Sequence, residues 1–491
     1  MTERTLRRLR CTIGVLVLTV LVLAATQWPM GFDEGIWLYV ARAWVEDGHP
    51  PYRGTVENKT PGIFYLFTLS YLVAGPSHVP PRLAGIAALL GFSLVCGALG
   101  RRLGGPLAGL ATALVAGLAM SARAVDGPDT SSTESFMVLF STAAVAAAVA
   151  AAGRRPGASR ARGMLWAGVW LGTAIAFKQV AVATAPALLG FAWSLTPTGT
   201  RTAGRSVRDA SWMALGAGAV TMASLVPLVL AGVSPAEYVE GAWLILTRRG
   251  SRVPGTVSER VAALPPLWAQ PPFPFLVVAV LAFFALRRRL RDRAVPWGAI
   301  ALWTALEAAG GLGSGSYFPH QLKQIVPPMA VAAGLGLDEL GRLVARRGVG
   351  PRRVAALVLG LAGLVFLPHA TVMGHPAGAP TATGRMIHLS AGRFIRASTR
   401  PDEYVFTWVG GGLVQITTRR RSPARHFNRN FGETAAAARE ILDAFEARPP
   451  RFIAVERRAP AWLAAYIADC CDLAQERGGG LLLVFERRPE P

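Results

Sequence analysis

Runs of about 20 apolar residues, long enough to cross a bilayer as a helix, recur from the N-terminus to near residue 368. A soluble core could not bury so much apolar surface. The chain has 491 residues, is 52% hydrophobic and only 16% charged, and its mean hydropathy is +0.37. These features predict a polytopic membrane protein. The net charge of +22 would suit nucleic acid, but the arginines gather in short clusters between apolar runs, as cytoplasmic loops do. No nucleic-acid partner is expected. Cys11 and Cys96 lie in or beside apolar runs and Cys470 and Cys471 are neighbours, so no disulfide framework is implied. The first run, residues 12–28, follows Arg4, Arg7, Arg8 and Arg10 without a small-residue cleavage site, which reads as a retained signal anchor.

Placing every arginine cluster on one side gives about eleven spans: 12–28, 81–100, 105–121, 135–152, two short helices within 163–195, then 212–231, 273–286, 297–313, 320–340 and 354–367. The stretch 163–195 is too long for one span and short for two. It reads as a tight hairpin with Lys178 at its outer tip. Beyond residue 368 charged residues become frequent. EYVFTWVG, RFIAVERR and GLLLVFERR look like strands, and TAAAAREILDAFEAR and AWLAAYIADCCDLAQER carry helical periodicity. The expected fold class is therefore mainly α, a transmembrane helical bundle (1–368), followed by a small extracytoplasmic α/β domain (369–491).

The loop after the first run is unlike a plain connector. It reads PMGFDEGIWLYVARAWVEDGHPPYRGTVENKTPGIFYLFTLSY and, within an external loop spanning 29–80, holds Asp33 and Glu34, a helical segment, a Pro-Pro turn and Lys59. All three lysines of the chain, Lys59, Lys178 and Lys323, fall on the external side of this topology. A compact ammonium on a flexible stem suits phosphate; the competing reading is that these side chains snorkel to the interface. A second external loop carries Asp126, Asp129 and Glu134. No His/Cys/Asp cluster has metal spacing, so neither metal nor cofactor is expected.

Taken in order, FDEGIWLYVARAWVEDGHPPYRGTVENKTPGIFYL, the acid near the fourth span, GTAIAFKQVA and SYFPHQLKQIVPP resemble the GT-C superfamily of integral-membrane glycosyltransferases, near the protein O-mannosyltransferase and aminoarabinose transferase clade. The resemblance covers about the first 340 residues. It implies a polyprenyl-phosphate sugar as donor and a glycan, lipid or protein acceptor, on the outer face of the cytoplasmic membrane. It places the catalytic aspartate at Asp33, the phosphate-contacting lysine at Lys59, and His320 near the donor phosphate. Glu134 best matches the second acid by its place, with Asp126 and Asp129 as alternatives. Gln321 stands where the family has an aromatic residue.

The chemistry fits these assignments. A sugar on a lipid phosphate already has a good leaving group, so transfer needs a base for the acceptor proton and cations for the phosphate. Asp33 is the candidate base, with Glu34 orienting it or the acceptor. The competing reading is that both carboxylates cap the helix that follows. Lys178, His320 and Lys323 join Lys59 as donor-phosphate candidates, against an interfacial role. A transporter or flippase of lipid-linked sugar, and a membrane anchor for a binding domain, are the other classes. The former predicts ionisable residues in mid-span.

Overall fold

The computed structural model describes residues 28–121, 131–155, 157–245, 295–312, 319–366, 380–456 and 459–489. The signal anchor, apart from Trp28, the span expected at 273–286, and Asp126 and Asp129 lie outside them. The described residues are mostly helical with one small sheet, and they fall into two units. One is drawn from Arg82–Ser224 and Ser251–Gly374. The other gathers Gln27–Pro81, Leu225–Gly250 and His375–Pro491. The sequence reading assigns the loop 29–80 to the membrane region; by contacts it clusters with the C-terminal residues.

Helices in chain order are α1 (Phe32–Asp47), α2 (Pro61–Ala74), α3 (Val79–Gly104), α4 (Pro106–Met120), α5 (Thr133–Ala152), α6 (Ala158–Phe177), α7 (Thr184–Ser194), α8 (Ala203–Leu230), α9 (Pro235–Val239), α10 (Trp297–Leu312), α11 (Val326–Ala345), α12 (Pro351–Phe366), α13 (Pro380–Ala397), α14 (Leu413–Thr418), α15 (Ala435–Ala447) and α16 (Ala461–Cys470). Among the described residues α3, α5 and α8 are long and apolar enough to cross a membrane. α2, α4 and Gln179–Ser194 are apolar but shorter.

In the first unit α5 packs along α6, and α4 along α11. Small residues allow close approach: a Cβ on Gly168 would meet the Met213 carbonyl oxygen at 2.0 Å, and one on Gly216 the Leu165 oxygen at 2.3 Å. Two interruptions matter. α6 stops at Phe177, Lys178 is extended (φ −159°, ψ 126°), and a 3₁₀ turn, Gln179–Ala183, leads into α7. The helix break falls at Lys178, the position expected for the hairpin tip. His320 and Lys323 sit on a second 3₁₀ turn, Pro319–Ile325, ahead of α11; the expected span 320–340 instead starts as a helix at Val326 because Pro327 and Pro328 occupy its first turn.

In the second unit β1 (Tyr404–Trp408), β2 (Pro450–Glu456), β3 (Cys471–Arg477) and β4 (Leu482–Arg487) form a sheet ordered β1-β2-β4-β3. β1 and β2 are parallel; β2–β4 and β4–β3 are antiparallel. Phe406, Trp408, Ile453 and Val455 face Ile441, Phe445, Leu463 and Ile467. Val405, Phe452, Ala454 and Val484 face Ala391, Ile395 and Val414. Alternate residues thus feed two cores, so both sheet faces are covered by helices. The expected helix AWLAAYIADCCDLAQER ends at Cys470, and Cys471–Arg477 is the edge strand β3. Gly478, Gly479 and Gly480 all take left-handed φ (60°, 61°, 80°) and turn the chain back into β4. That tight return converts the second half of the segment into a strand.

Candidate functional site

In the first unit the chain brings together four residues from three segments far apart in sequence. Glu134 lies in the first turn of α5 and is 2% exposed. Its Oε1 is paired with Lys178 Nζ and lies 3.6 Å from His320 Nε2, while Thr133 Oγ1 donates to Oε2 at 2.8 Å. Lys323, 1% exposed, donates to Ser132 Oγ at 2.9 Å and Ser135 Oγ at 3.2 Å. The three cationic groups all act on Glu134 electrostatically. Among the described residues one carboxylate stands against two lysines and His320, an arrangement that suits an anion. The two breaks make this possible: each removes a basic residue from a regular helix and turns it towards the N-terminus of α5.

In the second unit Asp33 and Glu34 open α1, but the two carboxylates differ. Glu34 is 2% exposed and accepts from the N-cap Gly31 N–H at 2.6 Å, which caps the start of α1 from the N3 side chain alone. Asp33 is exposed and makes no hydrogen bond or ion pair among the described residues. The capping alternative therefore fits Glu34 and leaves Asp33 available.

Lys59 directly precedes Thr60, the N-cap of α2, whose first residue is Pro61. Its Nζ donates to Asn58 Oδ1 at 2.8 Å and lies 3.5 Å from the buried Glu57 carboxylate. Tyr52 Oη donates to the Lys59 carbonyl at 2.5 Å. Tyr52 has φ +70°, rare for a side-chain-bearing residue. It is wedged edge-on against Phe64 and Tyr238, with ring centroids at 5.7 and 5.6 Å. Burial raises its hydroxyl well above the usual 10, which keeps it a proton donor. α2 is held to α1 by Trp37–Phe67 and Trp44–Tyr65 ring contacts at 5.2 and 6.0 Å.

Sequence reasoning did not find Tyr52, Glu57, Ser132, Ser135 or Glu307. Glu307 lies on α10, accepting from Thr184 Oγ1 at 2.6 Å and Trp303 Nε1 at 3.0 Å. An acid in an otherwise apolar run was the available signal for Glu307. Nothing local distinguishes the others. Among the described residues no group of three or more His, Cys, Asp or Glu could hold a metal. A cavity of about 350 Å³ lies elsewhere in this unit, lined by Leu189, Trp193, Ser206, Asp209 and Leu302 among others.

Residues 58–230 match the family described as dolichyl-phosphate-mannose-protein mannosyltransferase. That segment contains Lys59, Glu134 and Lys178 and excludes Asp33, His320 and Lys323. Among solved structures the chain is similar to ArnT from Cupriavidus metallidurans in the apo state, with TM-score 0.69 and 18% identity over 99% of this chain and 100% of that one. The chain has the GT-C fold. ArnT bound to undecaprenyl phosphate gives TM-score 0.66 at 17% identity, covering both chains fully. The Archaeoglobus fulgidus oligosaccharyltransferase in the apo form gives 0.55 at 13% identity, over 90% of this chain and 69% of that one. No curated protein matches the chain by sequence.

Proposed function

We propose that this membrane protein is an inverting glycosyltransferase that moves a sugar from a polyprenyl-phosphate donor to an acceptor hydroxyl on the outer face of the cytoplasmic membrane. The observation that carries the reading is the Glu134–Lys178–His320–Lys323 cluster, a buried basic site assembled from three separate segments. The likeness to a protein solved with undecaprenyl phosphate supports a lipid phosphate as its anion.

Asp33 takes the acceptor proton. The acceptor oxygen attacks C1 of the sugar, the C1–O bond to phosphate breaks, and the electron pair leaves with the lipid phosphate through an oxocarbenium-like transition state. Lys178, His320 and Lys323, with Lys59, neutralise the charge that grows on the leaving group. Glu134 keeps the cluster assembled, Glu34 starts α1, and no metal is required. About eleven spans and an extracytoplasmic C-terminal domain belong to the same proposal.

The test is to supply purified protein with a panel of polyprenyl-phosphate sugars and to follow release of free polyprenyl phosphate by mass. Release with wild type and none with Asp33→Asn is expected. Full release by Asp33→Asn removes the base, and no release from any donor overturns the reading. Glu307, an ionisable residue on an apolar helix, favours a second reading as a flippase; that reading predicts lipid-linked sugar translocated intact.

A further inference from the structure

The C-terminal α/β fold shares a unit with the loop that carries Asp33 and Lys59, and beside Asp33 the contact between them is backbone on backbone. The Gly412 N–H donates to the Phe32 carbonyl at 3.2 Å, one residue before Asp33. A Cβ on Gly412 would meet Ile36 N at 2.2 Å and Gly35 C at 2.3 Å, and one on Gly35 would meet Leu413 N at 2.7 Å. Neither position has room for a side chain. Gly411, at φ +144°, lies over Phe32, whose Cβ is 3.0 Å from where its own Cβ would be.

The turn that makes this contact is held from behind. Glu456, at the end of β2, accepts from the Gly410 N–H at 2.9 Å through Oε1 and pairs with Arg429 at 2.5 Å through Oε2. His388 from α13 stands edge-on to Phe32, with ring centroids 5.1 Å apart. A continuous path of hydrogen bonds and close contacts therefore runs from the sheet through residues 410–412 to the first turn of α1. A second anchor reaches the Lys59 segment, where the Val56 N–H donates to the Arg425 carbonyl at 3.0 Å.

We infer that the Gly410–Gly411–Gly412 turn, braced by Glu456, is a positioning device for Asp33, so that the C-terminal fold is part of the catalytic scaffold rather than an appendage. The inference rests on the proposed role of Asp33. A base must lie within hydrogen-bond reach of the proton it takes, and Asp33 is exposed, with no hydrogen bond or ion pair of its own among the described residues. Its placement is therefore set by the backbone of α1, and the first turn of that helix is seated on the glycine turn.

The test compares full-length Gly412→Ala, Glu456→Leu and Glu456→Gln in the lipid-phosphate release assay, each also combined with Asp33→Asn. Gly412→Ala and Glu456→Leu should lower kcat about 100-fold, the cost of displacing a reacting group by roughly 1 Å, with donor KM unchanged. Glu456→Gln keeps an oxygen for Gly410 and should retain most of the activity. In the Asp33→Asn background Gly412→Ala should add no further loss, because both changes remove one function. Wild-type kcat in correctly folded Gly412→Ala overturns the inference, as does a loss that multiplies with that of Asp33→Asn. Should Gly412→Ala fail to fold, the Glu456 pair decides: equal loss in Leu and Gln overturns it. A fully active Asp33→Asn removes the base assignment itself, whereas an inactive Asp33→Asn with a normal Gly412→Ala removes only the positioning role.

Discussion

Tyr52 shows how one side chain acquires a function from its surroundings. Its left-handed backbone is tolerated because the ring is buried between Phe64 and Tyr238 and its hydroxyl closes on the Lys59 carbonyl. Tyr52→Phe keeps the packing and removes the bond, so donor KM should rise several-fold with kcat little changed, and steady-state kinetics with varied lipid donor check this. Glu134 and Lys178 depend on each other more strongly. Lys178→Met leaves a buried carboxylate with one fewer cation and should destabilise the protein by about 3 kcal/mol, whereas the double variant Glu134→Gln/Lys178→Met should cost less than the sum of the two single changes. Thermal unfolding of the three variants measures the coupling.

At the scale of the element, capping and turn chemistry decide where helices and strands stop. Glycine in three successive left-handed positions makes the β3–β4 return. Gly479 has open space around it, so Gly479→Val meets only backbone strain, about 1–2 kcal/mol, and Gly479→Asn should cost less; melting temperatures of the two variants test the order. α15 is tied to its unit by Glu440, which accepts from Arg425 at 2.7 and 2.9 Å. Burial pushes this carboxyl up, but bonds from His426 and Arg425 outweigh burial and leave it at about 2. A depressed carboxyl contributes stability that is full above its unfolded value of 4.5 and is lost as pH falls towards about 2. Glu440→Gln should therefore flatten the acid limb of the stability profile over that window. His388 acts earlier: burial lowers its pKa from 6.5, so its neutral form stabilises the fold above that pH and acidification withdraws the contribution.

For the whole molecule, the division by contacts differs from the division by composition. α1 buries Ile36, Trp37, Leu38 and Tyr39, and Tyr39 packs on Phe427 with ring centroids at 4.5 Å. Arg42 donates to the Arg420 carbonyl at 2.8 Å, and Arg421 pairs with Asp47 at 2.6 Å. A chain truncated after residue 368 would expose that surface, and it should elute as aggregate in size-exclusion chromatography where the full chain is monodisperse.

How much of this was legible follows from range. Apolar runs, arginine clusters, the break at Lys178 and three of the four strands are local patterns, and the sequence alone determined them. It also singled out Asp33, Lys59, Lys178 and Lys323, because charge in an apolar chain is conspicuous, while His320, and Glu134 ahead of Asp126 and Asp129, stood out through the family resemblance. It could not tell that Glu34 caps while Asp33 stays open, since neighbouring carboxylates carry the same local signal and differ only in what surrounds them. The strand β3 was hidden because edge pairing with β4 overrides helical periodicity. Only the tertiary structure decided that Glu134, Lys178, His320 and Lys323 meet, and that a glycine turn near residue 411 carries the first turn of α1. Contacts between residues hundreds of positions apart leave no trace in any single stretch of chain; they exist once packing has closed the distance.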